Sequence, residues 1–171
     1  MINNALVENI YKQDRRAIAR AISLVESNNN LTSEYLKQIY SKVGNSQRIG
    51  ITGPPGAGKS TITNQLTKYF RTQNKKVGII AVDPTSPFTG GALLGDRVRM
   101  NDIGMDDGVF IRSMATRGSL GGLSKKAIDA ADVLDAAGFD IIIFETVGVG
   151  QSELDIAQAA DTTIVVLVPE S

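Results

Sequence analysis

Residues Gly53-Pro54-Pro55-Gly56-Ala57-Gly58-Lys59-Ser60 have the spacing G-x-x-x-x-G-K-S, which suits a loop that wraps phosphate groups. Phosphate oxygens need several N–H donors converging from one side, and the two prolines of the run have none. The cradle therefore falls to the amides of Gly56, Ala57, Gly58, Lys59, Ser60 and Thr61, at the start of a helix whose first N–H groups lack acceptors of their own. Lys59 then carries positive charge to the β- and γ-phosphates of a nucleotide, and Ser60 offers its hydroxyl to Mg²⁺. An aliphatic run precedes the loop and an amphipathic stretch follows it, as this role requires; an ordinary glycine-rich turn is the competing reading.

Ile141-Ile142-Ile143-Phe144-Glu145 is an apolar run ending in a carboxylate, followed by Thr146-Val147-Gly148. A carboxylate at the C-terminal end of a parallel strand beside the phosphate loop is where an NTPase keeps its water-mediated Mg²⁺ contact, so Glu145 is a metal candidate. The Gly148 amide is placed to meet a γ-phosphate. Asp83, in Val82-Asp83-Pro84, and Asp96, in Gly95-Asp96-Arg97, are further candidates for Mg²⁺ and for orienting an attacking water, although Asp-Pro and Gly-Asp are also ordinary turn pairs. The catalytic candidates are Lys59, Asp96 and Glu145; the metal candidates are Ser60, Asp83, Asp96 and Glu145. Arg97, Arg99, Arg112 and Arg117 can neutralise charge on a transferred phosphoryl group, but arginines on a solvated face are commonplace. Gln151 stands three positions after Gly148, whereas the small-GTPase arrangement puts its water-orienting Gln directly after that Gly, where this chain has Val149. Slow hydrolysis by the chain alone is therefore expected.

The composition narrows the chemistry further. Among 171 residues there is neither Cys nor His, which removes disulfides, thiolate nucleophiles, Cys/His zinc sites and a Ser-His-Asp triad. Any metal must be a hard ion held by oxygen. The 18 basic residues balance 18 acidic ones, and five Phe and four Tyr with no Trp leave few stacking surfaces, so nucleic acid is not an expected partner. The N-terminus interleaves charged and apolar residues, and the longest apolar runs are too short to span a bilayer; a cytoplasmic protein without membrane insertion is expected.

The elements that must position these residues can be read from periodicity. Residues 1–46 carry apolar positions at helical spacing, such as Ile18, Ile22 and Val25, with Asn28 to Asn30 as a break and Thr32 or Ser33 as a cap for the next helix. This is a helical arm, whose plainest role is packing. From Gln47 onward, strands are expected at Arg48 to Thr52, Lys76 to Val82, Val109 to Arg112, Asp140 to Glu145 and Thr162 to Val168. Helices are expected at Lys59 to Gln73, Leu123 to Ala137 and Ser152 to Ala159, giving repeated βαβ units. Strands that are apolar almost throughout predict an α/β fold with a parallel sheet covered on both faces. The division is an arm, 1–46, and a nucleotide-binding domain, 47–171.

With these residues the sequence resembles the MeaB/ArgK family, GTPase chaperones of adenosylcobalamin-dependent methylmalonyl-CoA mutase, also labelled arginine/ornithine transport ATPases or kinases. The resemblance rests on Asp14 to Glu26, the phosphate loop, Val82-Asp83-Pro84, Thr89 to Met100, Arg112 to Gly118, Leu120 to Leu123 and Glu145 to Glu153. It implies a SIMIBI-type P-loop NTPase fold, GTP/GDP and Mg²⁺ as ligands, Asp83 and Asp96 in a first switch, and Glu145 in a second. It also implies a mutase partner whose cofactor loading is gated by hydrolysis. The Asn-Lys-x-Asp motif by which such GTPases read guanine is absent before Pro169-Glu170-Ser171, as is the C-terminal helical region through which family members form homodimers. The expectation is thus an N-terminal portion that holds phosphates better than it distinguishes bases, with an uncovered sheet edge prone to association. A transport-associated ATPase or kinase and a non-catalytic nucleotide-binding fragment stay open as alternatives.

Overall fold

The helical spacing of the first segment produces three helices, α1 (Asn4–Tyr11), α2 (Arg15–Glu26) and α3 (Leu31–Ile39), followed by a 3-10 turn at Tyr40–Lys42. They belong to a computed structural model that describes residues 4–27, 31–83, 101–115, 122–146 and 151–169. Asp14 caps α2, its carboxylate accepting the Ala17 amide at 2.7 Å. Thr32 lies inside α3 rather than before it, and its hydroxyl donates to the Leu24 carbonyl at 3.0 Å, so it ties α3 to α2 instead of capping a helix.

The aliphatic runs then form β1 (Gln47–Thr52), β2 (Val77–Asp83), β3 (Val109–Ala115), β4 (Ile141–Thr146) and β5 (Thr162–Val165). Between them lie α4 (Lys59–Thr72), the single turn α5 (Asn101–Gly104), α6 (Gly122–Ala136) and α7 (Gln151–Ala159). The strands make one parallel sheet in the order β3-β2-β4-β1-β5. Strand β3 runs past Arg112 because β2 lies alongside it as far as the Asp83–Ala115 pair. Strand β5 stops at Val165, three residues short of its apolar run, because its partner β1 ends at Thr52 and turns into the phosphate loop.

Successive residues of each strand face opposite sides, which divides the core in two. On one side Ile80, Val82, Phe110, Met114, Ile142 and Phe144 pack with α6, α7 and the apolar stripes of α1 to α3. On the other, Ile49, Ile51, Val77, Ile79, Ile141 and Ile143 pack under α4 and Ile103 of α5. Burying each such side chain stabilises the fold by roughly 1.5–3 kcal/mol. The arm thus shares a core with the sheet. Asp135, at the end of α6, fixes the chain between arm and sheet: its buried carboxylate accepts the amides of Gly44, Asn45 and Ser46 at 2.8, 3.2 and 3.1 Å. Arg48 bridges Asp132 at 2.6 Å and approaches Asp135 at 3.6 Å. Across the sheet, Arg71 of α4 donates to Asp106 at 3.0 Å, and this hydrogen bond holds the Asp106 carboxyl below its usual range. Among the described residues no helix is long and apolar enough to cross a membrane.

Candidate nucleotide site

β1 is a central strand, and its C-terminal end feeds directly into the glycine-rich segment and α4. Three glycines make the bend: Gly53, Gly56 and Gly58 have φ of 137°, 76° and 96°, conformations that strain any residue bearing a Cβ. Gly53 has a second constraint, because an added Cβ would lie 2.2 Å from the Val166 carbonyl oxygen just beyond β5. Around Gly56 and Gly58 the opposite holds: an added Cβ would meet no protein atom within 4 Å. The loop is open there, as a cradle for a ligand must be. Ala57 N–H closes the turn on the Pro54 carbonyl at 3.2 Å, and α4 starts with Ile62 N–H donating to the Gly58 carbonyl at 3.0 Å. The amides of Lys59, Ser60 and Thr61 in the first turn have no intrahelical acceptor.

Lys59 is 7% exposed, an uncommon burial for a lysine. Its Nζ donates to the carbonyls of Gly53 at 2.6 Å and Pro54 at 2.9 Å, so the loop backbone itself aims the ammonium group. An ammonium has three N–H donors, and two carbonyls leave one for an anion over the loop. The sequence pattern names Lys59 but not these two carbonyls, which become visible only once the loop closes on its own side chain.

Glu145 lies on β4, between Ile51 of β1 and Ala81 of β2, and is 3% exposed. The Ser60 hydroxyl donates to Glu145 Oε1, joining residues 85 apart in sequence. A hydroxyl and a carboxylate side by side, beside a loop built for phosphate, are hard oxygen donors of the kind Mg²⁺ takes, so these residues fit that ion. Thr52 and Thr146, one position beyond the Ile51–Glu145 pair, are also buried, and their hydroxyls have no hydrogen-bond partner among the described residues. Buried polar groups left open beside a site are usually completed by water or ligand.

The other candidates divide. Asp83 ends β2 at the same C-terminal edge of the sheet, but its side chain lies outside what is described; Asp96 and Gly148 lie outside the described residues, as do Arg97, Arg99 and Arg117. Gln151 opens α7, and its side chain too lies outside what is described. Arg112 is engaged elsewhere: on β3 its guanidinium donates to Ser23 at 2.9 Å and pairs with Glu26, both on α2. It fastens the arm to the sheet rather than facing the loop.

A parallel sheet with a glycine-rich loop between β1 and α4, a loop-anchored lysine, and a serine on a strand-end carboxylate define a P-loop nucleoside triphosphatase fold. The family described as "Methylmalonyl Co-A mutase-associated GTPase MeaB" matches residues 18–171. The chain belongs to the MeaB family. A Pyrococcus horikoshii protein provisionally named a GTPase is 58% identical over 164 residues, covering 96% of this chain and 52% of the relative. The "GTPase ArgK" of Escherichia coli K12 is 44% identical over 172 residues, covering 96% and 52%. The solved structure of a protein named "LAO/AO transport system kinase" superposes with a TM-score of 0.78 at 33% identity, covering 97% of this chain and 51% of that one. The chain spans about half the length of the curated relatives it matches.

Proposed function

We propose that the chain binds GTP with Mg²⁺ and hydrolyses it slowly, and that this gates adenosylcobalamin loading or protection of a methylmalonyl-CoA mutase partner in the cytoplasm. The observation supporting the nucleotide part is the buried Lys59 amine, held on two loop carbonyls beside the Ser60–Glu145 pair. Support for the mutase partner comes from the family's description. In this reading residues 1–46 are a packing arm and residues 47–171 the nucleotide-binding domain.

The amides of Gly56 to Thr61 take the phosphate oxygens, and Lys59 balances charge that grows between the β- and γ-phosphates as the bond breaks. Ser60 and Glu145 hold Mg²⁺, with Asp83 and Asp96 as further oxygen donors; the bound ion supplies positive charge to the phosphates. Asp96 orients the attacking water, and the Gly148 amide reports whether a γ-phosphate is present. A kinase reading draws on the name of the solved structural neighbour, and it requires an acceptor for the phosphoryl group.

Phosphate release from GTP, measured across a Mg²⁺ titration with and without mutase holoenzyme, tests this function. The expected result is slow Mg²⁺-dependent release that the mutase alters, with Glu145→Gln shifting the titration to higher Mg²⁺. Release only when a small-molecule acceptor is added would favour the kinase. Binding without release under every condition would reduce the chain to a nucleotide-dependent scaffold.

A further inference from the structure

Two buried hydroxyls at the C-terminal ends of β1 and β4 have no part in holding phosphate or Mg²⁺. Thr52 is 6% exposed and Thr146 0%, and neither Oγ1 has a hydrogen-bond partner among the described residues. β1 and β4 are interior strands, flanked by β5 and β2, so this burial arises within the sheet. Ile51 and Glu145 point to the α4 face, so the residues that follow them, Thr52 and Thr146, point to the other face, alongside Ile142 and Phe144. Helix α7 lies close over that face: a Cβ on Gly50 would lie 2.9 Å from Ile156 Cγ2. Thr52 is two residues further along β1, about 6.6 Å, and a helix running back over the strand covers that length in little more than one turn, so the first turn of α7 stands over the two threonines. The N–H groups of that turn have no intrahelical acceptors.

Valine has nearly the shape of threonine and would fill both positions without burying a hydroxyl, so Thr at each carries a desolvation cost that only a polar partner offsets. Adjacent parallel strands lie about 4.8 Å apart, too far for residues in register to share a direct hydroxyl–hydroxyl bond of about 2.8 Å, and a suitable span for one small molecule bonded to both. We propose that Thr52 and Thr146 hold one water between β1 and β4, completed by an N–H of the first turn of α7, and that this bridge makes them positioning residues for the nucleotide site. Three partners are usual for a buried water. The bridge lies behind both anchors of the site. Thr52 precedes Gly53, whose carbonyl accepts Lys59 Nζ at 2.6 Å; Thr146 follows Glu145, which accepts the Ser60 hydroxyl, and stands two residues before Gly148. It therefore fixes the phosphate loop and the start of the segment carrying the Gly148 amide at one separation. The positioning role rests on the proposed reading of that amide as a γ-phosphate contact, whereas the bridge itself does not.

Urea denaturation of Thr52→Val, Thr146→Val and the double variant tests the bridge, and calorimetric titration of the same proteins with GTP and GDP, each with Mg²⁺, tests the positioning role. Either single substitution expels the water and strands the other hydroxyl, while the double variant leaves two apolar side chains and no stranded group. The expected result is a lower urea midpoint for each single variant, and a double variant more stable than the two losses added together. All three should bind GTP about tenfold more weakly than wild type and GDP within about twofold of it, whereas Thr146→Ser, which keeps the hydroxyl, should retain the wild-type preference for GTP. Single variants as stable as wild type, or losses that add, would overturn the bridge. Coupled stability losses with no change in the preference for GTP would overturn the positioning role. Equal binding of GTP and GDP by the wild-type chain would overturn that role by removing the γ-phosphate reading beneath it, and the urea series would still decide the bridge.

Discussion

Gly58→Ala separates the conformational demand of the phosphate loop from its service to a ligand. Gly58 has φ +96° and ψ 17°, and an added Cβ meets no protein atom within 4 Å. The fold therefore loses only backbone strain, about 1–2 kcal/mol, less the ~0.4–1 kcal/mol by which Ala restricts the unfolded chain. A net loss near 1 kcal/mol leaves a domain stabilised by roughly 5–15 kcal/mol folded. The same methyl occupies the open space through which phosphate oxygens approach the first amides of α4. Holding them off should weaken binding at least about a hundredfold, or about 2.7 kcal/mol. Gly44→Ala is the matched control: φ is +103°, the surroundings are again empty, and the residue lies between the 3-10 turn and β1, away from the loop. Urea denaturation should show similar losses for the two variants, and calorimetric titration with GTP and Mg²⁺ should show weakened binding only for Gly58→Ala. Equal nucleotide affinity in both variants would refute the cradle; a stability loss above about 3 kcal/mol for Gly58→Ala would show that the loop packs more tightly than the geometry says.

Asp135→Ala removes the acceptor shared by the Gly44, Asn45 and Ser46 amides and one of the two carboxylates beside Arg48, so unfolding free energy should fall by about 1–3 kcal/mol, measured by denaturant titration. A loss under about 1 kcal/mol would mean the junction between arm and sheet is held some other way. Burial raises the Asp129 carboxyl above its usual value and the neighbouring Asp132 charge adds to this, while Lys125 opposes it. A carboxyl with a raised folded pKa costs stability above that value and nothing below its unfolded one, so Asp129→Asn should stabilise at neutral pH, the gain fading as pH falls into the acid range. A gain independent of pH would exclude charge as its source. Asp106 has the opposite sign: Arg71 holds its carboxyl low, so the stability it contributes is present at neutral pH and lost on acidification. Asp106→Asn should therefore lower stability at neutral pH and converge with wild type in acid, as read by denaturation at several pH values.

Much of the site was legible because it uses contiguous chemistry. The eight-residue loop brings its own strand and helix, and Glu145 closes an aliphatic run too apolar for anything but a central strand. The pairing of Ser60 with Glu145 follows from those two facts, since adjacent parallel strands end at one edge. What was not legible depends on partners far away in sequence. The end of β5 is set by where β1 turns into the loop, and the extension of β3 by the length of β2. Arg112 reads as a free cation until Glu26 is found beside it, and Asp135 reads as one more helical acid until three amides converge on it. Lys59 is specified by the motif, whereas the carbonyls that aim it are backbone atoms with no sequence signature.

The central claim is that Lys59 and its loop hold the phosphates of a nucleotide. Calorimetric titration of the wild-type chain and of Lys59→Ala with GTP, GDP and ATP, each with Mg²⁺, tests it most directly, with circular dichroism confirming that both are folded. The expected result is Mg²⁺-dependent binding of the nucleotides by the wild-type chain, with little distinction between the bases, and loss of that binding in the folded Lys59→Ala variant. Undiminished affinity in Lys59→Ala would contradict the site.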